Sequence, residues 1–257
     1  MFYSVVQNHL SMMKHPKMAF DFYVKNFVKV ACNAFLKKNV FLLCAKKRGK
    51  VLGNEFLDNE TYNGGKTMAI KVFIDQGHNP RNPNSGAEGN GLYEQDITYE
   101  VGRLTAELLR ENPNFEVRLS RNSPDEVLGT SNASSLRART DAANAWGANI
   151  FISIHANAST IESASGSEGF AYSTSSPGYR LGEDILFWLN QTTGLQNRGM
   201  KVRPTLWVLR KTSMPAVLIE LGFITNAQDA RLMSENPRAF ATGIYNGILQ
   251  FYGYLEP

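Results

Sequence analysis

The chain has 257 residues, 43% hydrophobic and 19% charged, a balance that suits a folded globular protein and excludes a disordered one. Its only cysteines, Cys32 and Cys44, lie far from every motif discussed below, which excludes a disulfide framework and thiolate ligation of a metal. Residues 1–67 hold 11 Lys/Arg and 4 Asp/Glu, leaving 16 and 19 for the rest, so the overall charge of +4 is borrowed from the first segment and the slightly acidic remainder gives no basis for nucleic-acid binding.

Residues 1–67 interleave Lys with Phe, Leu and Val. The longest unbroken apolar run there, VFLLCA, falls far short of the roughly 20 residues that span a bilayer. Lysines interrupt every candidate core of a secretory signal, so no export signal is read and the export route stays open. A basic amphipathic helix on a membrane surface is one reading of the segment. The favoured expectation is that much of it is not native. Gly64-Gly65 are encoded by GGNGGN, and Met68 follows two codons later, an arrangement that resembles a ribosome-binding site ahead of a start codon.

The elements expected from Met68 onward alternate. Met68 to Asp75 reads as a strand, and a Gly/Asn/Pro-rich loop leads to a helix from about Glu94 to Glu111, stopped by Asn112-Pro113. FEVRLSR alternates as a strand, SLRARTDAANAWG reads as a helix with Leu136, Ala143 and Trp146 inward, and NIFISIHAN reads as a buried strand. GFAYS, LWVLR and AVLIE are expected as further strands, with a helix at about Gly178 to Thr193 after the first of them. Helices at about Ala227 to Ser234 and Pro237 to Tyr252 close the chain. This alternation predicts one α/β domain over 68–257, with a mostly parallel twisted sheet flanked by helices on both faces. About 190 residues suffice for one such core.

Three of the apolar runs end in the same way. KVFIDQGHNP carries His78 just beyond its run, NIFISIHAN ends near His155, and PAVLIELGF places Glu220 at the matching point. Open α/β sheets bind ligands at the carboxyl ends of their strands, so these side chains are expected along one edge. Imidazole and carboxylate are the donors of a catalytic zinc that keeps a position open for water. Glu94, opening a helix after the glycine-rich loop, is the best third ligand, with Glu88 and Asp96 as nearby competitors that spacing does not eliminate. Asp75 and Asn157 are candidates for orienting the ligands.

The segments IDQGH, LYEQDI, SIHAN and PAVLIELGF, in this order and with these gaps, closely resemble the zinc-dependent N-acetylmuramoyl-L-alanine amidases of the amidase-3 type over roughly residues 69–253. The resemblance implies a phosphorylase/hydrolase-like fold and one catalytic zinc held by His78, Glu94 and His155, with Glu220 as the acid/base. It also implies hydrolysis of the amide between N-acetylmuramic acid and L-alanine in peptidoglycan, at the cell wall, whether extracellular or periplasmic. A monomer is expected. Some amidases of this resemblance carry an inhibitory helix after the SIHAN segment. Here ASTIESASGSE, Ala158 to Glu168, is Ser-rich, without a helical apolar face and too short to form such a plug, so activity without an activator is expected.

Other readings account for fewer residues. A structural pairing of Glu220 with Arg203 or Arg210 gives no reason for the costly burial of a carboxylate after VLI, and a glycosidase pair of Glu94 and Glu220 leaves both histidines unexplained. A zinc carboxypeptidase-like peptidase would share the chemistry, but His78 is followed by Asn79, Pro80 and Arg81 and not by the short HxxE spacing. A catalytically silent wall-binding module would have lost a ligand or the base. NSGAEGNG fits neither a dinucleotide fingerprint nor a P-loop, and no G-x-S-x-G elbow occurs. The Ser-rich stretch STIESASGSEG reads as a surface loop.

Peptide mapping of natively expressed protein tests the reading of the first segment. The expected amino terminus is Met68; recovery of peptides from residues 1–60 would overturn it.

Overall fold

The computed structural model describes residues 68–256. All readings of residues 1–67 lie outside the described residues. Eight strands and six helices follow one another in the order β1 (Ile70–Gln76), β2 (Glu88–Gly89), β3 (Leu92–Tyr93), α1 (Glu94–Arg110), β4 (Phe115–Leu119), α2 (Asn132–Trp146) and β5 (Ile150–Asn157). Then come β6 (Ser167–Ala171), α3 (Pro177–Thr193), β7 (Asn197–Val202), α4 (Trp207–Arg210), β8 (Ala216–Phe223), α5 (Ala227–Glu235) and α6 (Pro237–Phe251).

Six strands form one sheet in the order β4-β1-β5-β8-β6-β7. β4, β1, β5 and β8 are mutually parallel, while β6 runs antiparallel to β8 and β7 parallel to β6. The expected α/β fold with a mostly parallel sheet is therefore found. The β1, β5 and β8 runs are continuous in Val, Ile, Leu and Phe because both faces are covered. On one face Val72, Ile74, Ile152, Ile154, Val217 and Ile219 pack with Val101 of α1, Ile185 of α3 and Ile244 of α6. On the other, Phe73, Phe151, Phe170 and Leu218 meet Ala143 and Trp146 of α2 and Val208 and Leu209 of α4. The second cover is thinner, since α4 is only 4 residues long.

Local chemistry sets the helix ends. Ser131 caps α2 through a reciprocal Ser131/Ser134 capping box, and Gly147 ends it at φ 67. Pro177 and Pro237 stand at the first turns of α3 and α6, where their missing N–H costs nothing. Among the described residues no helix is long and apolar enough to cross a membrane.

Two expectations fail here. LWVLR is not a strand: Trp207–Arg210 is the short helix α4, following a turn at Pro204-Thr205. Hydrophobic periodicity cannot separate a buried helical turn from a strand over so short a run. The last strand of the sheet is instead β7, NRGMKV, which carries little apolar signal because it is a half-exposed edge strand bearing charge and glycine. STIESASGSEG is only partly a surface loop, since Ser167 and Glu168 are 1% and 5% exposed members of β6. Residues 158–166 contain turns and no helix.

Helices α3 and α6 approach each other across Gly243 and Gly247. A methyl added at Gly247 would stand 2.5 Å from Ile185 Cα, a backbone atom that cannot step aside. Gly247→Ala is expected to destabilise the domain by about 1–3 kcal/mol through overpacking, read as a lower midpoint in urea unfolding with an unchanged m-value.

Candidate metal centre

β1 ends at Gln76, and the chain turns sharply so that His78 sits at φ 67, a left-handed conformation uncommon outside glycine. That turn is held by Arg139 of α2, which is 1% exposed. Its guanidinium donates to the His78 carbonyl at 2.6 Å, the Gln76 carbonyl at 2.5 Å, Asp75 Oδ1 at 2.7 Å and Asn79 Oδ1 at 3.2 Å. Asp75 also accepts from Ser153 Oγ at 2.7 Å, which ties β1 to β5. Burial pushes the Asp75 carboxyl up, but the Arg139 guanidinium outweighs this and holds it below the usual carboxylate range.

Glu94 is the first residue of α1 and 4% exposed. Its Oε2 accepts the Ala87 N–H at 2.8 Å, and its Oε1 accepts the Ala156 N–H at 3.0 Å. Oε1 also lies 3.0 Å from His155 Nδ1 and 3.2 Å from His78 Nε2. Burial would raise this carboxyl, yet hydrogen bonds from His155 and then His78 override it and hold the group far below its ordinary value. The two imidazole rings stand edge to face, with centroids 4.8 Å apart.

One donor atom from each of His78, Glu94 and His155 falls within 4.8 Å of the others. Two nitrogens and one carboxylate oxygen form the donor set of a catalytic zinc, and four tetrahedral ligands at about 2.0–2.1 Å from the ion stand about 3.3 Å apart. Glu94 Oε1 stands 3.0 and 3.2 Å from the two ring nitrogens, near that spacing, and the group as a whole falls within 4.8 Å. Glu88 and Asp96, the competing carboxylates, are exposed and outside the group.

Glu220 on β8 is the register partner of His155 on β5, and a register shift follows immediately between His155 and Asn157. Its Oε2 is buried with no hydrogen-bond partner among the described residues, so neither Arg203 nor Arg210 pairs with that oxygen. Burial, then the charges of Glu94 and Glu168, push the Glu220 carboxyl up to about 8, with Arg203 acting in the opposite sense.

On the other side of Glu220, its register partner is Glu168 on β6. Glu168 accepts from Lys201 Nζ at 2.6 Å, Arg198 Nε at 3.0 Å and Asn157 Nδ2 at 2.9 Å. Burial opposes ionisation of Glu168, and the Lys201 and Arg198 contacts overcome it and keep the carboxyl low. Two expectations therefore change in detail. Asn157 orients Glu168, and its Oδ1 takes the Ala158 N–H at 2.9 Å, so it bonds no candidate ligand side chain. Asp75 acts on the His78 turn only through Arg139. Arg139 and Glu168 were missed in the sequence because one lies in the middle of an amphipathic helix and the other ends a Ser-rich stretch.

Residues 72–250 match the family model described as N-acetylmuramoyl-L-alanine amidase, Amidase_3. The chain is 36% identical over 195 residues to the N-acetylmuramoyl-L-alanine amidase CwlM of Bacillus licheniformis, covering 71% of this chain and 69% of the relative. It is 35% identical over 187 residues to the sporulation-specific N-acetylmuramoyl-L-alanine amidase of Bacillus subtilis, covering 71% and 68%. Among solved structures, the catalytic domain of CwlV from Bacillus (Paenibacillus) polymyxa superposes with a TM-score of 0.63 at 32% identity, covering 72% of this chain and 99% of that one. AmiC2 of Nostoc punctiforme superposes with a TM-score of 0.64 at 29% identity, covering 73% and 99%. The chain belongs to the Amidase_3 family of N-acetylmuramoyl-L-alanine amidases, hydrolases of an amide bond.

Gly77 offers a test of how closely the centre is packed. A methyl there would lie 2.6 Å from both His155 Cε1 and the Ile154 carbonyl oxygen. Gly77→Ala is expected to displace the His155 ring and lower bound metal well below one equivalent, measured by metal analysis, while the far-ultraviolet circular dichroism of the fold is retained.

Proposed function

We propose that this chain hydrolyses the amide joining the lactyl group of N-acetylmuramic acid to the L-alanine of a peptidoglycan stem peptide, using one zinc ion held by His78, Glu94 and His155. The observation that carries the reading is the convergence of these three donors beside a buried carboxylate, Glu220, whose Oε2 has no partner among the described residues. The wall is then the place of action. When bound, zinc would polarise the scissile carbonyl and acidify the attacking water.

The rest of the chemistry falls to the chain. His78 and His155 would each offer a ring nitrogen to the ion, and Glu94 stays ionised with both oxygens fixed by the Ala87 and Ala156 N–H groups. Such fixation limits how far the ligands must reorganise. Glu220, in its ionised form, accepts the water proton during attack and returns it to the leaving alanine amine, and the burial that raises its carboxyl makes it a stronger base. Its lack of a hydrogen-bond partner at Oε2 leaves a lone pair free for that proton. Arg139 keeps the turn carrying His78 in place throughout.

Substitutions separate the two kinds of role. His78→Ala, Glu94→Ala and His155→Ala should each lose bound zinc and activity together. Glu220→Gln should keep one equivalent of zinc and a native unfolding profile but lose about 10²–10⁴-fold in kcat, the usual worth of a positioned acid/base. Chelation of the unsubstituted protein should abolish release of stem peptide from muropeptides, and added Zn²⁺ should restore it. A metal-free Glu220→Gln, or full activity in chelator, would sink the assignment.

A further inference from the structure

Beyond the metal centre, residues 198–211 carry five Lys/Arg and no Asp/Glu, within a domain that is otherwise slightly acidic. Three of these cations, Arg198, Lys201 and Arg203, lie on β7 or just after it. Arg198 is committed: its Nε bonds Glu168, its Nη1 donates to the Ser165 carbonyl at 3.1 Å, and its guanidinium covers the Phe223 ring. Lys201 bonds Glu168 through one of three N–H donors. Arg203 has no carboxylate or carbonyl partner for its side chain among the described residues, and its guanidinium rests over the Phe170 ring, 4.8 Å from the centroid. Lys201 Nζ stands 5.9 Å from the same ring.

Strand register fixes where this pair of cations sits. Glu220 and Glu168 are cross-strand partners, and two residues along the same strands Leu218 and Phe170 are partners again. Side chains two apart share a face, so Phe170 lies on the face that carries Glu220, about 6.8 Å down the strand. This face is covered by α2 and the short α4; Phe170 is buried within it, and Arg203 is exposed above the Phe170 ring. An extended peptide advances about 3.3–3.6 Å per residue, so the backbone carboxyl of the second stem residue lies about 7 Å beyond the scissile carbonyl. With the scissile carbonyl beside Glu220, a carboxyl at that distance comes within reach of the exposed Arg203 guanidinium over the Phe170 ring, whose charge is already felt at Glu220.

We infer that Arg203, assisted by the spare N–H groups of Lys201, forms a subsite for the free α-carboxylate of the acidic residue that follows L-alanine. The subsite discriminates a stem peptide with a carboxylate at that position from one in which the group is a neutral carboxamide. Glu168 has a part in this. By binding Arg198 and Lys201 it fixes β7 and absorbs one unit of positive charge, which leaves Arg203 as the cation free to meet the substrate. The inference rests on the proposed amidase reading.

The test uses the zinc-loaded full chain and two muropeptides with tetrapeptide stems, identical except that the second residue carries a carboxylate or a carboxamide. The expected preference for the carboxylate is on the order of tenfold in kcat/KM, expressed mainly in KM and reduced by added salt. Arg203→Gln should collapse that ratio to about one, Arg203→Lys should retain part of it, and Arg210→Gln, which changes an exposed cation elsewhere in the same run, should leave it intact. Equal cleavage of both substrates by the unsubstituted chain overturns the subsite alone. So does a parallel loss on both substrates in Arg203→Gln, or an equal collapse of the ratio in Arg210→Gln. Cleavage of neither substrate overturns the amidase reading itself, and the subsite with it.

Discussion

A guanidinium with almost no access to water holds the end of β1 in place, and the candidate metal centre depends on it. Arg139 is 1% exposed, as is its partner Asp75. Burying such a pair costs several kcal/mol per ion unless every donor and acceptor is met. Here two backbone carbonyls, the Asp75 carboxylate and the Asn79 amide oxygen all accept from the two terminal nitrogens, which offsets much of the cost, while Nε has no partner among the described residues. The carbonyls belong to Gln76 and His78, on either side of the turn that would otherwise relax from its left-handed residue. A hydrophobic replacement could fill the same volume but would leave those carbonyls without donors. The chain thus spends a buried charge on the position of one imidazole.

The two faces of the sheet divide the work. One is sealed by α1, α3 and α6, with glycines at 243 and 247 allowing helices α3 and α6 to come close. The other is covered by α2 and the single turn of α4. Strand alternation places Asp75, Ser153, His155, Leu218, Glu220, Glu168 and Phe170 on this second face, so the reactive side chains emerge where the cover is least. Both layers contribute core, the thicker one the larger share.

Much of this was legible in the sequence, and what escaped did so for physical reasons. His78, His155 and Glu220 end runs whose unbroken apolar character marks strands buried on both faces, and such strands can only be central in a parallel sheet. Glu94 was placed by its position after a glycine-rich loop, at a helix start. LWVLR misled because four apolar residues in a row satisfy a strand and a helical turn equally. β7 was invisible because an edge strand needs no apolar side chain on its open side. Arg139 lay hidden among ordinary helical charges, since the sequence says nothing of which helix face is pressed against a strand end.

The direction of β6 is what extends the row of polar side chains beyond the three candidate ligands. β5 leaves the active edge at Asn157, and a loop without helix returns the chain to the same edge, so β6 must run back antiparallel to β8. Its first residues therefore stand beside the last residues of β8, and Glu168 becomes the neighbour of Glu220. A right-handed crossover through a helix would have brought β6 in parallel, with its first residues at the opposite end of the sheet. The shortness of the connection after β5 thus does two things at once. It keeps residues 158–166 free of helix, and it continues the row of polar side chains from His155 through Glu220 to Glu168 and on to the cations of β7. That row crosses the strands on one face of the sheet, running from the candidate metal ligands past the buried Glu220 carboxylate to positive charge.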